Sequence, residues 1–159
     1  MLGGWAILGV GTALMGIGQT FQYWVIVSLL MSYINPVVNA SNQAIWQSKV
    51  PPDVQGRVFS TRRLIAQVTI PLAMLMAGPL ADQLFEPGLM PGGNLVLAFG
   101  GLVGTGPGAG MGLVYVIAGL LTVAIGLGGY AFAAIRNAEA ILPDHDAATA
   151  TEAVEAVPA

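Results

Sequence analysis

The side chains most able to do chemistry in this sequence are carboxamides and hydroxyls set in an otherwise apolar run. Ser28, Ser32, Asn35, Asn39, Asn42, Gln43 and Trp46 follow one another at steps of three, four and seven, with Asn42 and Gln43 adjacent. At about 100° per residue they fall within an arc of about 100° on one helical face. Carboxamides are costly in hydrocarbon unless paired, so such a face must meet other helices or water. It can act as hydrogen-bonding glue between helices, or it can line the path of a small molecule. A second, sparser face reads Arg63, Gln67, Met74 and Gly78, beside Pro71. A bent, methionine-bearing helix with one deep glutamine suits an adaptable apolar site, or ordinary packing. The candidate cavity residues are therefore Ser32, Asn35, Asn39, Asn42, Gln43 and Gln67.

Other chemistries lack their residues. There is no cysteine, hence no thiolate metal site and no thiol nucleophile. His145 is the one histidine, and with Asp144 and Asp146 it reads as a solvated charge run. The Gly106-Pro107-Gly108-Ala109-Gly110 stretch lacks the Lys-Ser/Thr ending of a phosphate loop. No cluster of ionisable residues points to catalysis, a metal, a cofactor or nucleic acid.

The elements that position these residues are membrane helices. Apolar residues make up 55% of 159 and charged residues 8%, against about 25% charge in soluble domains. Four stretches approach the roughly 20 apolar residues that a membrane helix needs. They cover about 2–18, 21–46, 60–82 and 111–134. The first has neither the basic start nor the cleavage site of a secretory signal and reads as a helix. Gly4, Gly11 and Gly18 recur every seven residues in it, as do Gly112, Gly119 and Gly126 in the fourth. Each series lines one face and admits a close neighbour. The two polar helices thus stand between two packing helices.

Between the second and third spans, Pro51-Pro52 and Gly56 mark a turn, with Asp53 and Arg57 four apart as a local cap or ion pair. Residues 83–110 form a loop whose apolar middle, 95–103, is too short to cross a bilayer and folds back onto the protein. From 143 to 159 the sequence reads as a disordered tail, and five of the eight acids lie beyond residue 138. All five basic residues (Lys49, Arg57, Arg62, Arg63, Arg136) fall at one set of helix ends, and the 83–110 loop has none. The positive-inside rule then puts both termini in the cytoplasm and that loop outside, in an inner (plasma) membrane.

The run Trp46-Gln47-x-Lys49-Val50-Pro51-Pro52-Asp53-x-Gln55-Gly56-Arg57-Val58-Phe59-Ser60 resembles the cytoplasmic link between helices ten and eleven of major facilitator superfamily transporters. Gly78-Pro79-Leu80-Ala81-Asp82-x-x-Phe85-Glu86-Pro87 and the glycines of 104–110 resemble the macrolide-efflux-like and siderophore-exporter-like branch. The resemblance covers residues 1 to about 143. It implies an all-α integral membrane protein whose four helices are helices nine to twelve of a twelve-helix fold, with ten and eleven lining the cavity. Asp53, Gly56 and Arg57 are then the cytoplasmic-loop motif. The implied function is export of a small amphipathic molecule by alternating access, and the implied partners are the bilayer, the substrate and the missing N-terminal helices of the same transporter. Relatives often carry arginine where Ala109 stands, a departure that bears on the outer loop. The alternative is a stand-alone four-helix protein, a channel or accessory subunit, that oligomerises through its glycine faces.

The topology has a direct check. Reporter fusions after Pro91 and after Pro143 are expected to give opposite compartment signals, and equal signals would overturn the assignment.

Overall fold

The computed structural model describes residues 2–132, and all regular structure within them is helical. The expected tail at 143–159, with Arg136 and His145, lies outside the described residues, as does the end of the fourth span. The principal helices are α1 (Leu2–Ile17), α2 (Phe21–Lys49), α3 (Pro52–Pro79), the short α4 (Glu86–Leu89) and α5 (Gly101–Val103), and α6 (Ala109–Ala131). Pro79 has no N–H to donate, and directly after it the helix widens into an i→i+5 turn over Leu80–Phe85. The helical path therefore runs unbroken from Pro52 to Leu89.

Among the described residues, three helices are long and apolar enough to cross a bilayer: Phe21–Lys49, Pro52–Leu89 and Ala109–Ala131, with mean hydropathies of 1.4, 1.8 and 2.2. This is the architecture of a multi-pass membrane protein. With 16 residues, α1 rises only about 24 Å at 1.5 Å per residue, short of a hydrocarbon core of about 30 Å.

The most intimate contact in the fold is antiparallel, between α1 and α6. Gly16 lies opposite Gly112, Gly9 and Ala13 opposite Gly119, and Leu2 and Ala6 opposite Gly126. At these points backbone meets backbone. A Cβ on Gly119 would stand 2.6 Å from the Gly9 carbonyl oxygen, and one on Gly9 2.6 Å from the Val123 amide nitrogen. Lipid tails are as apolar as leucine, so helices in a bilayer gain by such close van der Waals packing, not by burial from water.

The heptad of glycines in α6 thus faces α1. The heptad in α1 does not face α6. Gly4, Gly11 and Gly18 receive the side chains of Val38, Met31 and Trp24, which are themselves seven apart on α2. Gly9 and Gly16, a second series a part-turn away, take α6. One 16-residue helix therefore carries two small-residue faces, one for each neighbour.

The third long helix stands apart. Not one residue of α3 between Pro52 and Pro79 is buried, and it shares no packed face with α2. It is tied in at its two ends. At one, Gln55 Nε2 donates to the carbonyls of Val50 (2.8 Å) and Gln47 (3.1 Å), and the Arg62 guanidinium lies 4.7 Å from the Trp46 ring centroid. At the other, the Leu80–Phe85 turn packs on α6. The buried apolar cluster, Leu89, Val103, Ala109, Leu113 and Val116, sits beside that second junction, under the 83–110 segment.

If the α1–α6 seam holds the fold, Gly119→Ala should destabilise it by about 1–3 kcal/mol through overpacking. Gly128→Ala, whose Cβ would meet nothing within 4 Å, should be neutral or mildly stabilising. Thermal unfolding of the two variants in detergent checks this.

Candidate functional site

The polar face of α2 begins beside its packed edge. Met31 and Val38 pack on α1, Val27 and Ile45 are buried or half-buried along the same face, and the stripe is centred about 90° around the helix from them. Ser28, Ser32, Asn35, Asn39 and Gln43 are exposed, while Asn42, at the stripe's α1 side, is half-buried. Two of these side chains, Ser32 and Asn39, satisfy their donors within the helix. Ser32 Oγ donates to the Ser28 carbonyl (2.8 Å), and Asn39 Nδ2 donates to both the Asn35 carbonyl (2.9 Å) and Asn35 Oδ1 (2.7 Å). Such back-bonding lets a carboxamide lie on a helix surface without a partner helix. Asn42 is different: its Oδ1 is buried and accepts no hydrogen bond.

Two hollows border α2. The smaller, about 310 Å³, is lined by Ser28, Ser32, Asn35, Met31, Thr12, Met15 and Tyr115, so it takes in the outer half of the stripe. The Ser28 hydroxyl donates to the Met15 sulfur across it (3.8 Å). The larger, about 890 Å³, lies between the α1–α2 turn, the glycine-rich loop and the start of α6. Of the sequence candidates, Ser32 and Asn35 are thus brought together with α1 and α6. Asn39, Asn42 and Gln43 continue the same face beyond the smaller hollow. Gln67 is exposed on α3 and borders neither hollow. Asp53 occupies the first turn of α3, with Gly56 and Arg57 exposed in the turn that follows.

One functional group was not legible from the sequence, where Glu86 reads as the opening of a loop. Its carboxylate accepts from the amides of Gly108 (2.8 Å) and Gly110 (3.3 Å), the N-cap and second residue of α6. The first amides of a helix have no internal partner, and the helix dipole favours negative charge there. The approach depends on glycine twice. Gly108 holds φ at +90°, and a Cβ on Gly110 would stand 2.7 Å from the Glu86 amide nitrogen. The clasp joins the end of the α3 path to the start of α6 and fixes one wall of the larger hollow. Spacing of 22 residues gives no periodic signal for it.

No protein-family model, curated protein or solved structure matches the chain. What the sequence and the fold define is a multi-pass helical membrane protein with a tightly packed helix pair, a polar-faced helix against it and a long helix held only by its ends.

Glu86→Ala should lower stability by about 1 kcal/mol, as for a lost helix cap, and speed proteolysis within 104–108. Glu86→Gln, which keeps an acceptor oxygen, should lose less. Equal stability and cleavage in all three proteins would remove the clasp from the account.

Proposed function

We propose that this chain forms the C-terminal part of a secondary transporter of the major facilitator type, which exports a small amphipathic molecule by alternating access. In this reading α2, α3 and α6 cross the membrane and α1, short of a full crossing over Leu2–Ile17, is part of the fourth span, with α1 and α6 as the outer supports. α2 and α3 are the helices turned toward the cavity, and both termini lie in the cytoplasm.

The observation that carries the reading is the unequal covering of the four helices. α1 and α6 spend their small residues on each other and on α2. Most of the polar stripe of α2 is exposed, and α3 buries no residue between its two tethered ends. A stripe of Ser32, Asn35, Asn39 and Gln43 against lipid tails is unfavourable. Further helices and water beside it relieve that cost, and a transporter with its site between two halves supplies both. Substrate contacts then fall to the stripe, with Gln67 across the cavity on α3. The sequence resemblance at 46–60 and 78–87 points the same way. Against the alternative, assembly through glycine faces, we weigh that Gly112, Gly119 and Gly126 already pack on α1, and Gly4, Gly11 and Gly18 on α2.

The absence of cysteine makes a clean test possible. In membranes of the cell that produces the protein, a thiol in place of Asn39 should react several-fold faster with a small water-soluble maleimide than one in place of Val37. The two positions sit on opposite faces of α2, and reactivity requires a hydrated, ionisable thiol. The same contrast is expected between Asn35 and Leu30. Equal rates on the two faces would leave the stripe as interhelical glue and remove the transport path.

A further inference from the structure

The larger hollow lies outside the stripe and has no role in the reading above, yet it has the form of a ligand site. Its volume, about 890 Å³, falls in the range of roughly 300–1,000 Å³ typical of small-molecule pockets. Its walls come from four separate stretches: the end of α1 with the following turn, Trp24 of α2, the 100–109 segment, and the first turns of α6. Two constraints hold it open. Trp24 is seated over Gly18, and its indole Nε1 donates to the Met15 carbonyl (3.2 Å). Opposite, the Glu86 clasp fixes Gly108 and Gly110.

The lining defines what fits. Trp24 and Tyr115 offer aromatic surface, Met15 and Met111 offer adaptable polarisable surface, and Gln19 and Thr105 offer neutral hydrogen-bonding groups. No acidic, basic or imidazole side chain is among the lining residues. A charged ligand would therefore lose water without gaining a counter-charge, whereas a neutral aromatic amphipath would keep its hydrogen bonds. A lipid chain would leave Gln19 and Thr105 facing hydrocarbon.

The hollow is also connected. Met15 and Tyr115 border both it and the smaller hollow that contains Ser28, Ser32 and Asn35. One unbranched and one aromatic side chain thus stand between the two, and methionine is the most easily repacked of core residues.

We propose that the larger hollow is a second binding site, on the side of the 83–110 loop, for an uncharged aromatic amphipath, and that it opens onto the polar stripe past Met15 and Tyr115. Its place on an export path rests on the transporter reading; its ligand chemistry rests on the lining alone.

The test uses the full chain in membrane vesicles, with Thr105→Cys as the only thiol and N-ethylmaleimide as the label. The probes are 2-naphthamide and 2-naphthoate, which share a ring system and differ in charge. Naphthamide at four times its dissociation constant should slow labelling about fivefold by simple mass action, and naphthoate at the same concentration should not. Gly101→Phe in the same background adds bulk at a lining position where a Cβ meets nothing within 4 Å, and should abolish the protection without lowering the unfolding temperature. No protection by naphthamide, equal protection by both probes, or protection that survives Gly101→Phe would overturn the site. A hydrated thiol at position 39 with no protection at position 105 would overturn the site and leave the transporter reading. Protection at 105 with a dry position 39 would keep the site and remove that reading.

Discussion

Everything in this fold depends on how closely α1 and α6 approach one another. Gly9, Ala13 and Gly16 meet Gly112 and Gly119 with no side chain between the backbones. In a bilayer, association draws on van der Waals contact and interhelical hydrogen bonds, so a seam of missing side chains is where contact can be densest. The consequence reaches beyond the pair. Because α6 occupies one face of α1, α2 must take another, and the seven-residue spacing of Trp24, Met31 and Val38 against Gly18, Gly11 and Gly4 fixes its register. That register turns the polar stripe to the side of the seam. α3, joined to α2 by a turn tied through Gln55, is left outside the packed group.

The end at the 83–110 segment is built by a different force. There Leu89 and Val103 of the 83–110 segment cluster with Leu113 and Val116 of α6, and a carboxylate with two amides joins the ends of two helices. Glycines at positive φ (Gly104, Gly106, Gly108) give the loop the curvature to reach that carboxylate. The opposite end has Lys49, Arg57, Arg62 and Arg63, and the Arg62–Trp46 stack. The two ends therefore differ in chemistry as well as position: one is glycine-walled and carries the acids Asp82 and Glu86, the other is rich in cations.

Much of this was legible in the sequence, for reasons particular to each element. The stripe was readable because carboxamides are rare in apolar helices and 3.6-residue spacing places them on one face. The α6 glycine heptad was readable because nothing competes with it. On α1 two glycine series overlap, and spacing alone does not say which face meets which neighbour; only the shared registers with α2 and α6 assign them. Glu86 was hidden because its partners are backbone amides, which leave no residue-type signal. The widened turn at Leu80–Phe85 was hidden too, since proline marks a disturbance of a helix but not its form. The separation of α3 from α2 was invisible for a plainer reason: hydrophobic pattern shows which face is apolar, not whether lipid or protein covers it.

The central claim is that α2 is packed along one edge and wet along its polar face. A spin-label accessibility scan over positions 25–46 tests it most directly, using a polar nickel chelate and oxygen as competing relaxants. Nickel accessibility should oscillate with a period of about 3.6 residues and peak at positions 28, 32, 35, 39 and 43. Oxygen accessibility should peak on the opposite face, near Leu30 and Val37. A flat nickel profile, or one whose maxima fall at Val27, Met31 and Val38, would contradict the account.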